Sequence, residues 1–68
     1  MTINSRIREL RMERSVSVKD LAIAIGLTPQ AICNYEAGDR EPSIAIIIKL
    51  CDFFEVSADY LIGRSDNY

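Results

Sequence analysis

Five hydroxyl side chains, at Thr2, Ser17, Thr28, Ser43 and Ser57, each stand immediately ahead of a stretch with helical apolar spacing. A Ser or Thr oxygen at such a position accepts one of the backbone N–H groups that the first turn of a helix leaves unpaired. The pattern therefore divides the chain into five helices. Ile3, Ile7 and Leu10 recur at helical spacing in the first, with arginines on its other sides. Ser15-Val16 breaks it. Ser17-Val-Lys-Asp20 then has the form of a capping box, and Leu21, Ala22 and Ile25 follow as an inner face. Gly26 ends this short helix, where a left-handed residue without a Cβ carries no steric penalty. Thr28 caps again, with Pro29 at the first helical position, where its missing N–H is harmless. This third helix runs to about Ala37 and is stopped by Gly38. Asp39 to Pro42 reads as a loop, and Ser43 opens a fourth helix from Ile44 to about Glu55. Ser57 caps a last one from Ala58 to Ile62, closed by Gly63, and residues 64–68 are expected to form a loose tail. The fold class is all-α, a compact five-helix bundle in one domain spanning 1–68.

A chain of 68 residues holds one small core and nothing more. At this size only about 60% of the unfolded surface is buried, so stability must come from dense apolar packing, a staple or a partner. The two cysteines, Cys33 and Cys51, do not make a disulfide framework, and with no histidine they cannot complete a zinc site. The missing histidine also removes the usual general base. No enzyme, metal, cofactor or small-molecule ligand is implied. Met1 leads straight into Thr-Ile-Asn and an arginine-rich helix rather than a secretory leader. The longest apolar run, Ile44 to Ile48, is too short to span a bilayer. A cytoplasmic protein without membrane partners is expected.

The fourth helix is apolar nearly all round. At 100° per residue, Ile44, Ile47, Cys51 and Phe54 gather on one side and are expected in the core, while Lys49 and Asp52 mark solvent. Ile46, Leu50 and Phe53 form a flanking stripe.

Net charge is −2, with a skewed distribution. Residues 1–40 carry six Lys/Arg against five Asp/Glu, and residues 41–68 carry two against five. The N-terminal part is suited to face phosphate while the acidic part faces away. The low overall charge points the other way, since nucleic-acid binders are usually basic.

The most informative stretch is Val18 to Tyr35. Small Ala22 lets two helices cross closely, Gly26 makes the tight turn, and Leu21, Ile25, Leu27, Ile32 and Tyr35 lock the pair at a steep angle. A pair held this way presents its second helix outwards, narrow enough for a DNA major groove. The Ala22, Gly26 and Ile32 spacing resembles the helix-turn-helix of phage Cro and repressor proteins, the Xre-like family. So do the blocks NYEAGDREPS at 34–43 and VSADYLIG at 56–63. The resemblance covers residues from about 4 to 64 and implies a lambda-repressor-like DNA-binding domain.

On that resemblance, the helix from Pro29 to Ala37 is the recognition helix, with Thr28, Pro29, Gln30 and Asn34 facing outwards. Gln30 is suited to adenine, whose N6 and N7 its amide can pair with bidentately. Asn34, one turn on, would reach a base or a phosphate. Thr28 and the starts of helices, with Ser17, Lys19 and Arg40 nearby, suit phosphate oxygens. The alternative is that these polar residues form a merely solvated helix face. In similar proteins the glutamate matching Glu36 pairs with an arginine of the first helix, here Arg11. That pair is read as structural, with a phosphate contact by Arg11 as a second role. Two departures weaken the expected grip on DNA. Val18 stands where many relatives have a phosphate-touching glutamine, and Asp39 and Glu41 flank Arg40 in a loop that is often basic.

A homodimer would compensate. Ile46, Leu50, Phe53, Tyr60 and Ile62 are the candidate interface, and a two-fold pair would set its recognition helices about 34 Å apart on a pseudo-palindromic operator. The alternative is that the fourth helix is wholly covered by its own chain. Cys33, on the recognition helix, is read as a small semi-buried filler ahead of a redox switch.

The resulting functional expectation is a sequence-specific transcription regulator, a repressor acting on double-stranded DNA. The alternative is a protein-interaction module, antitoxin-like or anti-repressor, with weak DNA binding; the acidic composition and Val18 favour it, and Gln30, Asn34 and the N-terminal arginines oppose it.

Overall fold

The computed structural model describes residues 2–68. It contains helices α1 (Ile3–Glu13), α2 (Val18–Ile25), α3 (Pro29–Ala37), α4 (Ile44–Phe54) and α5 (Ala58–Leu61), with no strand among the described residues. Among the described residues no helix is long and apolar enough to cross a membrane.

All five predicted caps form. Thr2, Ser17, Thr28, Ser43 and Ser57 each take extended backbone and accept the N–H three residues on. The full capping box lies not at Ser17 but at Thr2, where the Ser5 hydroxyl sits 3.4 Å from the Thr2 N–H and receives its hydrogen bond. At Ser17 only the bond from the Asp20 N–H forms, at 3.0 Å. Gly26 and Gly38 close α2 and α3 in the left-handed region, at φ 75° and 84°. Gly38 has a second reason to be glycine, because a Cβ there would lie 2.8 Å from the Asn4 amide nitrogen of α1.

The core gathers Ile7, Leu10, Leu21, Ala22, Ile25, Ile32, Leu50, Phe54, Val56, Tyr60 and Leu61. It draws on every helix, which is how a chain this short excludes water from one centre. α4 inserts Leu50 and Phe54, both essentially inaccessible, with Ile46, Ile47 and Cys51 packed beside them. Burial pushes the Cys51 thiol up, keeping it protonated. Ile44, expected in the core, is 78% exposed. It begins α4 and lies about 120° round the helix from Leu50, off the edge of the buried face. With five isoleucines or leucines around α4, hydropathy cannot fix the angle at which the helix meets the body, and packing against α2 and α5 sets it.

The tail differs from the loose segment expected. Residues 64–68 fold back over α1 and α5. The Tyr68 carbonyl accepts the Ser57 N–H at 2.6 Å, and the Tyr68 hydroxyl donates to Glu13 at 2.7 Å. Its ring packs 4.6 Å from that of Tyr60. Asp66 pairs with Arg6 at 3.1 Å. Arg6 itself is buried, stacked 4.0 Å over the Tyr60 ring. A buried guanidinium demands partners, and the tail supplies two, the Asp66 carboxylate and the Ser65 carbonyl.

Candidate nucleic-acid interface

α2 and α3 form the helix-turn-helix. Leu21, Ala22 and Ile25 on one side and Ile32 on the other are buried against each other and the core, with Leu27 and Tyr35 partly covered. The Leu27 N–H donates to the Ala22 carbonyl at 2.8 Å, fixing the tight exit from α2. α3 therefore has one anchored face and one free face.

The free face carries the residues expected there. Thr28, Pro29 and Gln30 are exposed, and Asn34 is half-buried. The Thr28 hydroxyl oxygen accepts the Ala31 N–H at 3.3 Å, which leaves its own proton available to an outside acceptor. Gln30 Nε2 donates to Asn34 Oδ1 at 3.0 Å. The structure thus joins these two side chains, a link that the sequence reading treated as two separate contacts. The i, i+4 spacing of two amides was the available signal.

Arg11 and Glu36 hold α3 against α1. Arg11 Nε donates to Glu36 Oε2 at 2.8 Å and its Nη2 to Oε1 at 3.1 Å, while Nη1 donates to the Val16 carbonyl at 3.1 Å. The side chains are only 16% and 10% exposed. The hydrogen bonds to Glu36 push the Arg11 guanidinium further up, so it stays charged. One arginine thereby ties together α1, the turn before α2, and α3, and little of it is left to meet phosphate.

Ser17, Lys19 and Arg40 are all exposed, Ser17 and Lys19 around the start of α2 and Arg40 just beyond α3. Lys19 and Arg40 form no ion pair among the described residues, so their charge is open to anions. Neither the Lys19 and Arg40 side chains nor Ser17 bonds to the side-chain amides of Gln30 and Asn34. Val18 is half-buried and packs on the core, and its side chain adds no donor at the helix start. Cys33, expected as a semi-buried filler, is exposed.

Of the candidate interface residues, Leu50 is fully buried and Tyr60 is 8% exposed. Both belong to the core of the single chain, and Tyr60 is further covered by Arg6 and the tail. Ile46 is half-buried. Phe53 and Ile62 remain open, at 39% and 40%. Ile23, which the sequence reading passed over, is 68% exposed and lines a surface hollow with Phe53, Lys49 and Asp52.

The helix-turn-helix family model matches residues 7–61, which is most of the chain. The chain belongs to the Cro/Xre-like helix-turn-helix family. It is 34% identical over 59 residues to the transcriptional regulator AnsR of Bacillus subtilis, covering 87% of this chain and 51% of that protein. It is 32% identical over 63 residues to the cryptic phage CTXphi transcriptional repressor RstR of Vibrio cholerae, covering 93% and 57%. Among solved structures, the P22 c2 repressor in complex with a synthetic operator superposes with a TM-score of 0.89 at 25% identity, covering 96% of this chain and 98% of that one. The chain spans about half the length of the curated relatives it matches. The Cro/Xre-like domain accounts for the five-helix order and for the outward position of α3.

Proposed function

We propose that this domain is a sequence-specific DNA-binding transcription regulator, cytoplasmic, which enters the major groove with α3 and represses by occupying an operator. The observation that carries this reading is the exposed, polar face of α3, whose opposite side is clamped to α1 by the Arg11–Glu36 bridge. A helix anchored on one side and polar on the other matches the width and chemistry of the groove. The P22 c2 repressor, similar in fold, has been solved on a synthetic operator. Gln30 and Asn34 address bases. Thr28, Ser17, Lys19 and Arg40 address phosphates, and the Pro29 ring sits at the point of entry.

The domain acts as a homodimer on a pseudo-palindromic site. A single copy offers few cations, and a second copy doubles both phosphate and base contacts. Phe53 and Ile62 are the candidates left for the contact, with Ile46 at its margin, because Leu50 and Tyr60 are used internally. The half-buried Val18 and the acidic residues 41–68 favour a second reading, a protein-interaction module with weak DNA binding.

Fluorescence anisotropy with promoter fragments at two salt concentrations tests the proposal. Tight binding to a few two-fold symmetric sites, resisting competitor DNA, supports it. Lys19→Ala and Arg40→Ala should then weaken binding similarly on every sequence and lower the salt slope by about 1 each. Binding that vanishes uniformly with salt, or is absent, favours the protein-interaction reading.

A further inference from the structure

We infer that Gln30 and Asn34 read DNA as one coupled unit, selecting an adenine together with a neighbouring keto base, guanine or thymine. The inference rests on the proposed DNA-binding function and adds what the site prefers.

Primary amides are ambiguous readers when free, because each offers an acceptor and donors and turns over easily. The bond from Gln30 Nε2 to Asn34 Oδ1 removes that freedom. It directs the Asn34 oxygen along the helix towards Gln30, so the Asn34 group left facing outwards is its Nδ2, a donor of two hydrogens. Gln30 retains Oε1 and its second Nε2–H, an acceptor and a donor side by side. In the major groove, adenine alone presents the complementary N6–H donor beside the N7 acceptor. An outward group with only donors instead meets an acceptor, which means O6 and N7 of guanine or O4 of thymine; it has nothing to offer the N4–H₂ of cytosine. Four residues of helix advance by about 6 Å and stacked bases by about 3.4 Å. The two bases read therefore lie within two steps of each other.

Three features keep the pair in place. α3 is anchored through Ile32 and Glu36, the helix start is fixed by the Thr28 cap, and the Asn34 carbonyl accepts the N–H groups of Asp39 and Arg40, which ties down the backbone behind the side chain. The backbone that carries the pair is thus set before DNA arrives.

Selection of bound duplexes from a randomised pool, run with the full chain and three variants, tests this. The wild-type chain should enrich adenine and a keto base within two steps. Asn34→Asp keeps the acceptor for Gln30 but loses both donors. It should keep the adenine preference while the keto preference falls by about tenfold or more and cytosine rises in its place. Gln30→Ala should erase the adenine preference and also relax the second position, because Asn34 is released to turn. Gln30→Glu should lose adenine selection and turn Asn34 over, because a carboxylate can only accept. Asn34 Nδ2 then donates to it, Oδ1 is left outwards, and the second position should shift from a keto base towards cytosine. Helix content by circular dichroism confirms that each substitution leaves the fold intact. If Gln30→Ala changes one position and leaves the other as selective as before, the residues read independently and the coupling is overturned. Enrichment of other bases by the wild-type chain overturns the assignment as well. A wild-type chain that enriches no sequence overturns the DNA-reading function together with the pair.

Discussion

Arg11 grips Glu36 with two parallel hydrogen bonds of 2.8 and 3.1 Å across 25 residues of sequence, and this fork fixes the angle of α3 to the rest of the domain. The same guanidinium holds the Val16 carbonyl, so one side chain both closes the α1–α2 turn and braces α3.

Removing one partner leaves the other charge largely covered and unpaired. Arg11→Ala or Glu36→Ala should each cost about 2–3 kcal/mol of stability. In a domain of this size that lowers Tm by roughly 10–20 °C, measurable by circular dichroism. Replacing both residues with apolar ones of similar volume should recover part of the loss; full additivity of the two single effects would show that the pair is not a unit.

The angle of α4 is tested by a contrast between two of its own residues. Leu50→Ala should destabilise by about 2–5 kcal/mol, because it opens a cavity in the buried centre. Ile44→Ala should change stability by less than about 0.5 kcal/mol, being an exposed helix position. Equal losses at both positions would mean that α4 packs at a different angle.

Tail docking responds to alkali. The hydrogen bond to Glu13 pushes the Tyr68 phenol up to about 12 from an ordinary 10. A group with a raised folded pKa contributes its stability in full below the unfolded value and loses it as pH climbs through the folded one. The contribution of Tyr68 is therefore present below pH 10 and disappears between pH 10 and about 12. Ultraviolet titration should show a late-ionising phenol contributed by Tyr68 in the wild type, and that component should be missing in Tyr68→Phe. An unchanged titration in that variant would remove Tyr68 from the assignment.

Phe53→Glu should convert the proposed dimer to monomers in sedimentation velocity and weaken operator binding without loss of helix. It places a charge on an exposed ring position rather than in the core. An unchanged sedimentation coefficient would take Phe53 out of the interface or show that no dimer forms.

Most local signals are legible because they act over a few residues, although the capping box expected at Ser17 forms instead at Thr2, where Ser5 completes it. A hydroxyl caps the N–H three positions on, and Gly26 and Gly38 adopt a conformation that other residues resist, so helix number, order and ends follow from the sequence alone. The buried side of α2 was legible too, since Leu21, Ala22 and Ile25 are apolar among polar neighbours. The resemblance in the blocks around α3 and α5 carried the Arg11–Glu36 pair. What only the tertiary structure decided are the matters in which several residues were chemically equivalent or the partner was distant. Ile44 and Leu50 have nearly the same hydropathy, and contact with α2 and α5 chooses between them. Tyr60 is apolar enough for an interface, but the stacked guanidinium of Arg6 and the ring of Tyr68 take its surface first. The tail has no periodicity to betray it; it docks because a buried arginine some 60 positions earlier requires a carboxylate, and Asp66 is within reach. Short-range backbone chemistry wrote the elements, and the packing of one small core settled which of their faces remain free.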